Sequence, residues 1–180
     1  MLKRFALACG AAAVLAASPA AAETTIYYEG NPYHVMRTPE DRTCGLIALF
    51  GKDAESRTLM LVEEADMAGG TSMLIVSVGT SPLPEGTGPI TLQVDFVQED
   101  AVDASGDFGQ HEFVQLPRKK GGHTFFAEFD DAGERAQIRS NFASFYAVGF
   151  HHGDTLLTAM PLEGADVAMA KMEECLASFG

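Results

Sequence analysis

The chain has 180 residues, with 25 Asp and Glu against 12 Lys and Arg, a formal net charge of −13 and no tryptophan. So acidic a surface repels phosphate backbones and anionic lipid, which disfavours nucleic-acid and membrane-surface roles. The length suits one domain with a real core.

The first element is an export signal. Lys3 and Arg4 form a short positive region, and Phe5 to Ala17 is uncharged and rich in Ala, Leu and Val. Ala20 and Ala22 satisfy the small-residue cleavage rule, which places the cut before Glu23. The apolar run is shorter than the ~20 residues a membrane span needs, and no later stretch approaches that length. A buried N-terminal helix is the competing reading. Cys9 raises lipidation as another, but Ala6 stands where a lipobox usually has Leu, so Cys9 is expected to leave with the signal. The expected organisation is a signal over 1–22 and a single β-rich domain over 23–180, periplasmic or secreted and without a stable membrane anchor. Loss of Lys3 and Arg4 leaves 10 bases against 25 acids, a net charge of about −15.

Thr24 to Tyr28 is rich in β-branched and aromatic residues and ends in the turn Gly30-Asn31-Pro32. Strands are predicted over 44–50, with Cys44, Leu46, Ala48 and Phe50 on one face, and over 57–63. Ser72 to Val78 is apolar on both faces, as for a strand covered twice. After a Pro- and Gly-containing loop, Ile90, Leu92, Val94 and Phe96 alternate with Thr91, Gln93 and Asp95, which predicts a strand with one wet side. Residues 99–109 read as an acidic loop. Strands 111–116 and 123–129 flank a basic hairpin tip.

The period then changes. Asp130 and Asp131 are N-cap candidates with Glu134 in capping-box position, and Ile138, Phe142, Phe145 and Tyr146 recur at helical spacing. Gly149 to Asp154 is expected to close this helix, before a short strand over 155–162. A second helix over 164–179 carries the stripe Ala165, Ala168, Met169, Met172, Cys175, Leu176 and Phe179. The fold class expected is α+β: a mainly antiparallel β-sheet or sandwich with two C-terminal helices, helix 164–179 packed on the sheet.

Signal removal leaves Cys44 and Cys175, an even pair in an oxidising compartment. Both lie on core-facing positions, so a disulfide between them is expected. Two buried free cysteines, or a catalytic thiol, are the alternatives.

Asp103, Ser105 and Asp107 resemble the start of a calcium loop, with oxygens at alternate positions. Phe108 stands where such a loop needs Gly, and Val114 where it needs a bidentate Glu, so a solvated loop competes. His151-His152-Gly153-Asp154 is a tempting metal cluster, with His34, His111 or His123 as a further ligand. Adjacent histidines on extended chain diverge, however, and a polar turn between helix and strand is the plainer reading. Arg118, Lys119 and Lys120 form the basic cluster of an acidic chain, either a docking tip or a solubilising hairpin end. No G-x-S-x-G, S-x-x-K or H-E-x-x-H pattern occurs. Cofactors are not expected.

Residues 156–165, Leu-Leu-Thr-Ala-Met-Pro-Leu-Glu-Gly-Ala, followed by Ala168, Met172 and Cys175, form a strand, a small-residue turn and an alanine-rich helix with a late cysteine. With an earlier cysteine in a β-rich body, this resembles small exported alphaproteobacterial proteins similar to the invasion-associated locus B family. The resemblance implies a secreted or periplasmic non-enzymatic protein engaged in host or envelope interactions. The function expected is that of an exported, non-catalytic binding or interaction protein with a protein or envelope partner. The alternatives are a small envelope hydrolase with a spatially assembled site and a weak divalent-cation binder.

Overall fold

Alternating inward apolar residues and short polar turns build one antiparallel sheet. The computed structural model describes residues 23–52, 55–65, 70–84, 86–99, 106–118 and 121–180 of the chain. The strands are β1 (Thr25–Glu29), β2 (Tyr33–Thr38), β3 (Thr43–Phe50), β4 (Arg57–Glu64), β5 (Ser72–Val78), β6 (Gly88–Val97), β7 (Gly106–Pro117), β8 (His123–Phe129), β9 (Ala147–His152) and β10 (Thr155–Pro161). Helix α1 (Ala132–Ser144) lies between β8 and β9, and α2 (Ala165–Ala177) follows β10. The strands form a single ten-stranded sheet in the order β1-β2-β3-β4-β5-β8-β7-β6-β9-β10. Every pairing is antiparallel.

Register keeps the core on one face. Leu46 pairs with Leu61, Leu61 with Leu74 and Leu74 with Ala127. On β6, Leu92, Val94 and Phe96 are fully buried, as their alternation predicts. Their neighbours Val148 and Phe150 come from β9. On β5 the expectation of cover on both faces is corrected. Met73 and Ile75 are only half-buried. Ile75 lies between its cross-strand neighbours Met60 and Phe126, so lateral contacts shield this apolar ridge.

The sheet curls until its last strand, β10, meets β2 and β4. The Tyr33 hydroxyl on β2 donates to the Pro161 carbonyl at 2.5 Å, and the Arg57 guanidinium on β4 donates to the Ala159 carbonyl at 2.8 Å. Side chains therefore take up the carbonyls that the edge strand β10 leaves unpaired. Burial raises the Tyr33 phenol above its ordinary value. Thr158, facing inward on β10, is 6% exposed and its hydroxyl has no hydrogen-bond partner. Both edge strands carry a register shift, between Ile26 and Tyr28 on β1 and between Leu156 and Thr158 on β10. Such bulges interrupt the ladder that another chain would need for pairing.

The helices pack on the sheet, α2 on β1 to β3 and α1 on β7 and β8. Asp131 caps α1, its carboxylate accepting from the Gly133 and Glu134 amides at 2.8 and 3.0 Å. Ile138 and Phe142 are buried as the helical period requires. The helix ends at Ser144, not beyond Tyr146, and residues 147–152 are strand β9. This corrects the reading of 149–154 as a closing turn: the amide of Tyr146 bonds to Val97, leading the chain directly into pairing with β6. Helix α2 lies over β1, β2 and β3 and contacts α1. Its buried residues are Ala165, Ala168, Met169, Met172 and Cys175, five of the seven in the predicted stripe, while Leu176 and Phe179 are half-buried. Cys175 is bonded to Cys44 on β3, with their Cα atoms 6.2 Å apart.

Candidate functional site

β4 places Leu59, Leu61 and Glu63 on one face at the two-residue period of a strand. The leucines enter the core. Glu63, at the strand end, is equally deep, with 1% exposure. A carboxylate so far from water needs partners. Ser72, its cross-strand neighbour on β5, donates to Oε1 at 3.0 Å. Arg139 on α1 donates from Nε to the same oxygen at 2.8 Å and pairs with Oε2 through Nη2. The two-pronged geometry orients the guanidinium as well as neutralising the charge. The hydrogen bond to Glu63 raises the Arg139 guanidinium above its ordinary value. Partial burial opposes the rise, and the charges of Glu63 and Glu173 add to it.

This ion pair forms the floor of a cleft of about 470 Å³ between α1, the last turn of α2 and the ends of β3, β4 and β5. Ala132, Ala136, Leu176 and Ala177 supply apolar wall. Arg42, Arg135, Glu64 and Glu173 supply charge. Arg135 bonds the Asp130 carbonyl at 3.1 Å and Arg42 the Phe179 carbonyl at 3.3 Å, so each spends one donor on backbone and, among the described residues, none on a carboxylate. Arg42 also has φ of 52°, the one non-glycine residue with positive φ among the described residues. That conformation costs an L-residue ~1–2 kcal/mol, and such outliers gather where geometry serves a task. The volume lies within the range of small-molecule sites, ~300–1,000 Å³.

Sequence reasoning missed this cleft because its residues come from separate elements; Glu63 and Arg139 alone are 76 positions apart. One signal was present. Glu63 shares the parity of Leu59 and Leu61, and a carboxylate on a core-facing strand position demands a cation.

The predicted site residues fall elsewhere. Asp103 and Ser105 lie outside the described residues, as does the side chain of Asp107, whose backbone pairs with Asp95 at the β6–β7 register shift. Lys119 and Lys120 also lie outside them, while exposed Arg118 closes the hairpin through its amide to Gly122 at 2.7 Å. Gly122 is required there, because a Cβ would stand 2.6 Å from the Val78 carbonyl.

The histidines do not gather. His151 sits 3.5 Å from Asp95, and His152 meets the Thr91 carbonyl at 3.2 Å. These residues end β9, which corrects the expectation of a turn. His111 stacks on Phe108, and His123 is fully buried beside Phe125. Among the described residues no three His, Cys, Asp or Glu converge as metal ligands, and no helix is long and apolar enough to cross a membrane.

No family model, curated protein or solved structure matches the chain.

Proposed function

We propose that the chain is an exported, non-catalytic binding or interaction protein of the periplasm or cell envelope, and that the cleft above Glu63 receives its partner. The cleft carries this reading: guanidinium, carboxylate and small apolar groups on its walls are recognition chemistry. The hydroxyl at its floor, that of Ser72, is fully buried and engaged by Glu63. The N-terminal signal pattern and the Cys44–Cys175 bond support an oxidising compartment. The acidic surface argues against nucleic acid. The resemblance of the last quarter of the chain to the invasion-associated locus B family supports an envelope or host-facing role.

A photo-crosslinking residue in place of Ala136, on the cleft wall, tests the assignment in the native envelope against the same residue at Thr155 on β10. Adducts specific to position 136 and lost in Arg135→Glu are expected. Equal labelling from both positions would overturn the cleft as the binding surface. Intact mass of the periplasmic protein should start at Glu23, and recovery of uncleaved chain in the cytoplasm would overturn export.

A further inference from the structure

We infer that the cleft takes a small zwitterion, an α-amino acid or short peptide carrying both a carboxylate and an ammonium group; this rests on the binding role proposed above. Three guanidinia line the cleft. Arg139 is spent on Glu63. The side-chain bonds of Arg42 and Arg135 go to backbone carbonyls. Glu64 and Glu173 line the same cleft and form no ion pair among the described residues. The cleft thus presents two guanidinia and two carboxylates that the fold does not join to one another.

A ligand of one sign would satisfy half of these groups and face repulsion from the rest. A ligand of both signs satisfies both halves. Its carboxylate accepts charge-assisted bonds from Arg42 and Arg135, and its ammonium donates to Glu64 and Glu173. Ala132, Ala136, Leu176 and Ala177 suit an aliphatic side chain between the charged groups. The neutral floor made by Glu63 and Arg139 adds no net charge to bias the choice.

Calorimetric titration of the mature, oxidised protein at low ionic strength tests this with three probes: L-leucine, leucinamide, which lacks the carboxylate, and isocaproate, which lacks the ammonium. Leucine is expected to bind, and each singly charged analogue to bind ~10-fold or more weakly, the range for a lost charged hydrogen bond. In Arg135→Gln the preference for leucine over leucinamide should collapse. In Glu173→Gln the preference over isocaproate should collapse. Both positions lie on helix surfaces, and an unchanged melting curve certifies the fold of each variant.

Analogues binding as well as leucine would overturn the zwitterion while leaving a binding cleft in place. No heat from any probe up to ~10 mM, weaker than the millimolar limit of useful recognition, would overturn the ligand class. The crosslinking comparison then decides the binding role separately.

Discussion

Arg139→Met removes the cation from a carboxylate that is 1% exposed and leaves Glu63 only its bond from Ser72. Breaking a buried ion pair from one side typically costs ~3–5 kcal/mol, because the remaining charge stays desolvated. The Arg139 side chain is 38% exposed, so solvent screens part of the attraction and the lower end applies, ~3 kcal/mol. For a domain of this length that corresponds to a fall of ~6–12 °C in Tm. The double variant Glu63→Leu/Arg139→Met removes both charges and replaces them with apolar groups, which is often neutral or better. Equilibrium urea unfolding of the four proteins of the cycle measures the coupling. The double variant should be clearly more stable than Arg139→Met alone. If Arg139→Met loses less than ~1 kcal/mol, the pair is an ordinary surface contact. If the double variant is no more stable than the single, the cost does not come from an orphaned charge.

Three further outcomes follow from the fold. Replacing Cys44 and Cys175 by alanine opens a loop of 131 residues in sequence and should cost about 5 kcal/mol in the chain-entropy model; denaturant melts of variant and oxidised protein check this. Thr158→Val keeps shape while deleting a buried hydroxyl without a partner, so stability should rise by ~1 kcal/mol, and a fall in the urea midpoint would refute it. Tyr33 has its phenol raised by burial, so its contribution is complete below the ordinary tyrosine value of ~10 and is lost as pH climbs from there towards the raised folded value. Tyr33→Phe should be less stable by ~1 kcal/mol near neutral pH, from the lost bond to Pro161, and the gap should narrow above pH ~10 in Tm-versus-pH curves.

Much of the β body was legible wherever side chains alternate cleanly. Leu92, Val94 and Phe96 face the core on β6, and the α2 stripe through Cys175 is buried as its spacing requires. β2 escaped notice because His34, Met36 and Arg37 dilute its two inward residues, Tyr33 and Val35, just after a strong turn signal. β9 was hidden by a competing period. Phe142, Phe145 and Tyr146 continue the helical spacing of α1 to its doorstep, and Gly149 gives no side chain to mark alternation. The cleft was illegible for a different reason. Local spacing reports neighbours along one element, whereas Arg42, Glu63, Arg135 and Leu176 meet only after a turn, a strand and two helices are packed.

The order of the sheet has a consequence for assembly. β1 to β5 form a meander in which each strand pairs with the next, so this half can form from local contacts. The inward face of β1, β2 and β3 nevertheless lacks its helical cover until α2 arrives, for that helix is made after all ten strands. The early half is thus quick to pair and late to be shielded. The Cys44–Cys175 bond fastens the last helix onto this earliest part of the sheet, and so records that the final step of assembly has taken place.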